Sequence, residues 1–508
     1  MEEEQKEVLE FLQHHAFAGA VERIDTHAAV VLLAGDRAYK MKRAVRYSFL
    51  DFSTLERRRA VLERELVLNR RTAPELYLGL VPVVRRRGGE LALGGEGEVV
   101  EWLLEMRRFP QDARLDRVAA RGELSLSLIE ALARVIARFH REAEVRPDRG
   151  GAFAMRRVIA GNARDLRELV PAVFEAEPVE ELVRLSERRF EALRDLLDVR
   201  RGAGRVRHCH ADLHLGNIVL LEGRPLLFDC LEFDEELACI DVLYDLAFLV
   251  MDLLERGLRP HAHRLLQSWN EEMVDDAGLE ALGFFISVRA AVRAKVEGLT
   301  ARLAAAAEAR RSHRLRARRY LALARDALEQ IPPCLLAIGG RSGTGKSSLA
   351  FALAPDLGAM PGAIVLRSDV IRKRLFGRGP LERLPESAYR PEVSAEVFEI
   401  IAQRAATLLE AGRSVICDAV YGRPEQRRRI EEVARERRVP FFGFWLEAPE
   451  EVLLERVAHR GPDASDADVE VVRRQAETVD ARGISWQRID AARPLEQVAA
   501  ELRRLLEM

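Results

Sequence analysis

Cys334-Leu335-Leu336-Ala337-Ile338-Gly339-Gly340 runs directly into Arg341-Ser342-Gly343-Thr344-Gly345-Lys346-Ser347-Ser348-Leu349-Ala350, and the reading of the chain turns on this stretch. A short apolar run of strand character enters a glycine-rich turn and leaves it as a helix-forming run. Residues 340–347 satisfy the G-x-x-x-x-G-K-S/T phosphate-loop pattern in the strand–loop–helix setting the pattern needs. Backbone N–H groups of such a loop wrap phosphate oxygens, and the helix N-terminus adds favourable polarity. Lys346 is expected to reach the outer phosphates of ATP and Ser347 to ligate Mg²⁺. Gly340, Ser342, Gly343, Thr344, Gly345 and Ser348 complete the expected nucleotide-binding set.

Toward the C-terminus, apolar strands at 334–338, 363–367, 413–418 and 440–446 alternate with helical stretches. That alternation predicts a parallel α/β/α sheet covered on both faces. Val365-Leu366-Arg367-Ser368-Asp369-Val370-Ile371-Arg372 ends the second strand with D-x-x-R. Asp369 is a candidate to accept the proton of a hydroxyl, and Arg372 to clamp acceptor or phosphate. Asp418 closes the third strand as a candidate metal ligand. Ala448-Pro449 opens a helix carrying Arg456 and Arg460, four apart and so on one face, expected to meet the transferring phosphate. Residues 333–500 resemble small phosphate-loop kinases: gluconate kinases, polynucleotide 5′-kinases, antibiotic phosphotransferases and zeta-toxin-like proteins. The resemblance implies that 461–468 is a closing lid.

A second motif lies upstream. His210-Ala211-Asp212-Leu213-His214-Leu215-Gly216-Asn217 fits the H-x-D-x-x-x-x-N pattern of a kinase catalytic loop. The two motifs belong to unrelated folds, so two fused domains are expected. One is 1–330, with linker helices at about 300–330, and the other is 331–508. The boundary is set at Ile331-Pro332-Pro333, where proline breaks the helical pattern. Near the start, residues 28–34, a Gly35-Asp36 turn and residues 37–42 read as a β-hairpin, followed by a charged helix over 53–72. Ile218–Leu221, a turn at 222–225 and Leu226–Asp229 read as another hairpin, one that folds Asp229 back beside Asn217.

Phosphoryl transfer needs a lysine held by a glutamate to orient phosphates, Mg²⁺ to neutralise them, and a carboxylate to position the hydroxyl. Asp212 is assigned as catalytic base, and Asn217 and Asp229 as Mg²⁺ ligands. Lys40 is the candidate phosphate lysine; Lys42, two residues on and on the same strand face, is the alternative. Glu65 is the expected partner of that lysine, with Glu63 second. His214 reads equally as structural or catalytic, and Asp241 and Asp245 as braces of the loop.

HADLHLGN, then LLFDCLEFD, then Asp241-Val242-Leu243-Tyr244-Asp245-Leu246-Ala247 resemble the aminoglycoside phosphotransferase branch of the protein-kinase-like fold. The resemblance implies a bilobal domain using ATP and Mg²⁺. There is no G-x-G-x-x-G loop near the start, and Asp229-Cys230-Leu231 stands where D-F-G would, which counts against a regulated protein kinase. The tandem order resembles a bacterial family in which such a domain precedes a phosphate-loop kinase domain.

Bulk properties agree with two catalytic domains. At 508 residues, 48% hydrophobic and 32% charged, the chain is globular and too long for one core. A net charge of −2 argues against a general pull toward nucleic acid or anionic lipid. The acidic N-terminus lacks the layout of a secretion signal, and Asp245 and Asp252 interrupt the apolar run 243–254, so a cytoplasmic protein is expected. Five cysteines without C-x-x-C spacing read as reduced thiols. Only six of the 80 basic residues are lysine, and Lys40, Lys42 and Lys346 are three of them, as if lysine were kept where a compact ammonium is required. The expected acceptor is a hydroxyl of a small molecule such as a sugar or aminosugar. The alternatives are an ATP-binding switch, and nucleic-acid work such as 5′-hydroxyl phosphorylation. The basic run 310–319 is read as a solvated connecting helix, and the acidic run 232–236 as a solvated loop.

Overall fold

The computed structural model describes residues 2–47, 50–379, 381–459, 464–479 and 483–506. By contact the chain groups into two units, residues 1–158 with 197–252 and residues 159–196 with 253–508. This is a different division from the motif boundary at 330/331, since helices between 253 and 326 group with the phosphate-loop region.

The first unit carries a six-stranded sheet in the order Val21–Asp25, Ala29–Ala34, Arg37–Lys42, Glu98–Arg107, Tyr77–Arg85, Leu91–Leu93. All neighbours are antiparallel, and the hairpin expected at 28–42 is its second and third strands. Strand alternation sends Tyr39, Met41 and Leu103 into a core shared with Val8 and Leu12 of helix Glu2–His14. Lys40 and Lys42 consequently point to the other face, where Leu104 and Tyr77 pack on Leu62 of helix Leu55–Asn69. Thr54 starts that helix by accepting the Arg57 N–H at 3.3 Å. Its buried positions Arg58, Leu62, Glu65 and Asn69 fall at helical spacing on one stripe, so a helix with little hydrophobic content still presents a defined face to the sheet.

The rest of this unit supports the catalytic loop. Strand Val206–His208 pairs antiparallel with Cys239–Asp241, and Ile218–Leu221 pairs with Arg224–Leu227 in the expected hairpin. Helix Leu126–Glu142 turns a strongly apolar face inward and buries His140.

The second unit contains a five-stranded parallel sheet in the order Ile364–Arg367, Val415–Asp418, Leu335–Gly340, Phe441–Glu447, Gln487–Asp490. Four of these are the expected alternating strands. The fifth, Gln487–Asp490, was not expected, because its four residues QRID carry little apolar signal. The edge strand Ile364–Arg367 is covered by helix Arg259–Met273. Gln267 acts there as a surrogate strand residue: its Oε1 accepts the Val365 N–H at 2.9 Å and its Nε2 donates to Val365 O at 2.8 Å. His263 Nε2 donates to Ala363 O at 2.8 Å, and Arg404 grips Asp276 with two bonds of 2.7 and 2.9 Å. Among the described residues no helix is long and apolar enough to cross a membrane.

Replacing Gln267 by alanine strips two backbone groups of their partners at a covered edge. A loss of about 1–3 kcal/mol in urea unfolding is expected, and an unchanged midpoint would refute the edge-cap role. Burial pushes the His263 imidazole down from 6.5 to about 4. Between those values the unfolded chain binds the proton that the folded chain refuses. The histidine's contribution is therefore complete above about pH 6.5 and falls by about 3 kcal/mol as the pH drops toward 4. His263→Gln should flatten that part of the stability–pH curve.

Candidate active sites

The loop 210–217 is built around one buried carboxylate. Asp245 Oδ2 accepts the His210 N–H at 3.1 Å, and its Oδ1 accepts the Ala211 N–H at 2.8 Å. His140 Nε2 approaches Oδ2 at 3.2 Å. Ala211 adopts φ 67°, a left-handed conformation costly for a residue with a side chain, and the paired N–H groups hold it there. His210 Nε2 bonds Phe228 O at 3.0 Å, and the Leu231 N–H returns to His210 O at 3.0 Å, tying the loop to the segment after the hairpin. Burial depresses the His210 imidazole, so the ring is a neutral strut. Asp252 accepts the Leu215 N–H at 3.0 Å, and Arg200 holds Asp241 with two bonds of 2.7 Å. Asn217 Nδ2 donates to Asp212 Oδ2 at 2.8 Å and to Asp212 O at 3.0 Å. His214 Nδ1 accepts the Gly216 N–H at 3.1 Å, while its Nε2 lies 3.5 Å from Asp212 Oδ2.

Opposite this loop sits a cluster of charges. Lys40 Nζ lies 2.6 Å from Glu65 Oε1 and 2.6 Å from Asp229 Oδ1. Lys42 Nζ lies 2.6 Å from Glu232 Oε1 and also 2.6 Å from Glu65 Oε2, the latter off the hydrogen-bonding direction. Burial alone would lower the Lys40 ammonium; Asp229 and Glu65 outweigh it and hold the group well above its ordinary value. The Asp229 carboxyl is 42% exposed, yet its surroundings still disfavour the charge. The Lys40 ammonium reverses that balance and keeps the carboxyl below its usual range, with Asp212 close enough to oppose it. Asp229 has φ 60°, and its N–H is fixed on the Tyr77 hydroxyl at 3.0 Å.

Of the two candidate lysines, Lys40 bridges Glu65 and Asp229, while Lys42 bridges Glu65 and Glu232. Glu63 points out and pairs with Arg59 instead. The acidic run 232–236 is not a solvated loop. Glu232 is buried on Lys42, Asp234 caps helix Glu235–Ala238, and Glu236 pairs with Arg157. Composition suggested a loop because the lysines that neutralise Glu232 lie some 190 residues away.

In the second unit, Gly340, Gly343 and Gly345 take φ of 137°, 87° and 85°. A Cβ at Gly340 would stand 2.6 Å from Leu446 O, and one at Gly343 would stand 2.9 Å from Leu453 O. Thr344 Oγ1 donates to Arg341 O at 2.8 Å and Lys346 Nζ to the same oxygen at 3.1 Å. Ser347 Oγ donates to Asp418 Oδ2 at 2.5 Å, with Arg367 Nε 3.7 Å from that oxygen. Ser348 is exposed at the start of the helix. Burial raises the Asp369 carboxyl and the nearby Asp418 carboxylate adds to it.

The arginines have partners that spacing along the chain does not give. Arg372 is buried, donates to Ala388 O at 2.6 Å and stacks 5.0 Å from the Tyr389 ring, so it also shapes the segment beyond its helix. Arg456 donates to Ala491 O at 2.8 Å. Arg460 lies outside the described residues, as does part of 461–468. Two participants were missed. Gln475 Oε1 accepts the Ser342 N–H at 2.8 Å from 133 residues away. Lys373, fully buried, reaches Asp466 at 3.0 Å, and Asp466 in turn accepts the Leu384 N–H and the Tyr389 hydroxyl. The scarcity of lysine was a usable signal for Lys373; nothing local marked Gln475.

Both sites fit Mg²⁺-ATP. The phosphate loop offers a backbone cradle whose close approach to Leu446 O and Leu453 O leaves no room for a Cβ at Gly340 or Gly343, and Ser347 with Asp418 forms the hydroxyl–carboxylate pair suited to Mg²⁺. In the first unit Asp229 is a partly exposed hard oxygen donor, one residue after Phe228, whose N–H bonds Asn217 O at 3.0 Å.

The fold is that of a phosphotransferase built of two kinase-type regions. Residues 36–285 match the phosphotransferase enzyme family, and residues 335–481 match an AAA domain. Uncharacterized proteins of Mycobacterium tuberculosis and Mycobacterium bovis are 32% identical over 491 residues, covering 93% of this chain and 93% of theirs. The chain belongs to the family of these mycobacterial proteins, and it is a kinase of tandem construction. Among solved structures, a choline/ethanolamine kinase family protein from Mesorhizobium loti is similar at 15% identity over 63% of this chain and 99% of its own, with a TM-score of 0.39. A gluconokinase from Sinorhizobium meliloti is similar at 25% identity over 35% of this chain and 96% of its own, with a TM-score of 0.25.

Asp245→Ala would orphan the His210 and Ala211 N–H groups in a buried setting. Thermal or urea unfolding should show a loss of about 3–5 kcal/mol, and a variant as stable as the parent would show that the brace is dispensable.

Proposed function

We propose that the protein is a tandem phosphotransferase that moves the γ-phosphoryl group of Mg²⁺-ATP to a hydroxyl of a small molecule, with both regions active. The observation that carries this reading is Lys40 Nζ at 2.6 Å from both Glu65 and Asp229, in one unit with a loop where Asn217 holds Asp212. Lys40, oriented by Glu65, would grip phosphate oxygens. Asn217 and Asp229 would hold Mg²⁺, which when bound neutralises the phosphate charge. Asp212 would take the proton from the acceptor hydroxyl, positioned for it by Asn217. In the second region Lys346 would grip phosphates, Ser347 and Asp418 would hold Mg²⁺, and Asp369, with its raised carboxyl, suits proton acceptance.

A small acceptor is favoured over nucleic acid by the state of the basic helix Ala307–Asp326. His313 and Arg316 meet Glu297, Arg319 meets Glu255, and Arg318 donates to Val173 O, so much of its charge is used within its own unit. The acidic run is no dedicated aminosugar site, since Glu232 is buried, Asp234 caps a helix, and Glu235 and Glu236 lie against Arg146, Arg149 and Arg157.

The test is ATP-dependent phosphorylation of a panel of sugars, aminosugars, nucleosides and oligonucleotide ends by the parent, Asp212→Ala and Lys346→Ala. For an acceptor of the first region, Asp212→Ala should lower transfer by about 10²–10⁴-fold while Lys346→Ala leaves it near the parent rate. Mg²⁺-ATP binding at both sites without transfer to any acceptor would replace this reading with that of an ATP-binding switch.

A further inference from the structure

The known parts of a kinase site account for Lys40, Glu65 and Asp229, but not for the second lysine and third carboxylate packed against them. Lys42 is 3% exposed and Glu232 8%, and each is the other's hydrogen-bonded partner at 2.6 Å. We infer that Lys42 and Glu232 form the inner rung of a two-rung clasp that sets the positions of Lys40 and Asp229, which makes both of them positioning residues for the first site. The inference rests on the function proposed for that site.

Geometry supplies the first argument. Lys40 and Lys42 stand two apart on one strand face, while Asp229 and Glu232 stand three apart on the segment that follows the hairpin. The pairs match one to one, Lys40 with Asp229 and Lys42 with Glu232, both at 2.6 Å. Glu65, fully buried, lies between the rungs and gives one oxygen to each ammonium. The two pairings fix the segment against the strand in position and in direction, which a single pair cannot do.

Burial gives the rungs different duties. The outer rung opens to solvent through Asp229, where a metal and phosphates would exchange; the inner rung is closed. Charge bookkeeping agrees. If Asp229 turns to a metal, Lys40, Lys42, Glu65 and Glu232 remain as two positive and two negative groups, a balanced set in a buried place. Without Glu232, Lys42 would keep the Phe52 ring at 5.6 Å but, among the described residues, Glu65 as its one carboxylate, and would compete with Lys40 for it. The main chain of the segment is held in parallel: the Asp229 N–H by Tyr77, the Cys230 N–H by Asn69, the Leu231 N–H by His210 O, and Glu232 O by Arg64.

The experiment uses the full chain with Lys346→Ala, so that Mg²⁺-ATP turnover to water reports the first site. It compares this parent with Glu232→Gln and with the paired Lys42→Met/Glu232→Met change. Three quantities are measured: KM and kcat for Mg²⁺-ATP, Tm, and hydrogen exchange of the amides at 229–231. In Glu232→Gln the KM should rise and kcat fall, each by about tenfold, as expected of reacting groups shifted by a fraction of an ångström, and the three amides should exchange faster. The paired change removes both charges together and should return Tm to near the parent value while leaving turnover impaired. A merely structural pair predicts the reverse: turnover and KM unchanged in Glu232→Gln with Tm alone lowered, or turnover restored along with Tm in the paired variant. Either result overturns the inference. If the parent neither binds nor turns over Mg²⁺-ATP, the proposed function fails instead; unchanged exchange at 229–231 in Glu232→Gln would then overturn the clasp on its own.

Discussion

Glu65 has no exposed surface, so its charge has to be answered inside the protein, and it is answered by a lysine ammonium on each oxygen. That requirement reaches through the first unit. It fixes the rotation of helix Leu55–Asn69, since Glu65 must share a stripe with Arg58, Leu62 and Asn69. It fixes the register of strand Arg37–Lys42, since a one-residue slip would send both lysines into the opposite core. It also draws in the segment carrying Asp229 and Glu232, which supply the remaining negative charge. The apolar packing covers both faces of the sheet, and the buried ions tie helix, strand and the segment after the hairpin to one another.

The second unit meets a different constraint, that of a parallel sheet whose central strand ends in a loop without side chains where backbones converge. Strand Leu335–Gly340 has the earlier-connected strands Val415–Asp418 and Ile364–Arg367 on one side and Phe441–Glu447 and Gln487–Asp490 on the other. The chain reverses its direction of build beside that strand, and in open α/β sheets the crevice at such a reversal is where ligands bind. Gly340 and Gly343 are required there because Leu446 O and Leu453 O leave no room for a Cβ. The neighbouring strand delivers Asp418 to Ser347, and the edge strand ends at Arg367, one residue before the helix that carries Asp369. That edge strand is sealed by Gln267.

Much of this was legible in the residues. Both motifs are contiguous, and each carries its own geometry: a glycine loop between strand and helix, or a loop with Asp212 and Asn217 five apart. The pairing of Lys40 with Glu65 was readable from strand alternation and the helix that follows. What was not legible shares one trait, that the partner lies far off along the chain. Glu232 looked like part of a solvated acidic run until Lys42 was placed against it, and Gln475 and Gln267 carry no local mark of the backbone groups they satisfy. Arg456 shows the same limit from the other side. Helical spacing put it on a face with Arg460, but only the packing of its helix decides that the guanidinium meets Ala491 O.

The sequence by itself determined the class of this protein, a kinase whose two motifs lie in regions of unrelated fold, because local motifs depend on short-range backbone geometry that eight residues can encode. Tertiary structure alone decided how the groups between the motifs are used: which lysine answers which carboxylate, which arginine meets a carboxylate and which a carbonyl, and which helix closes the sheet edge. Those choices follow from the need to pair every buried charge and backbone polar group. The partners that satisfy that need are selected by proximity in the folded chain, which residue order along the sequence does not record.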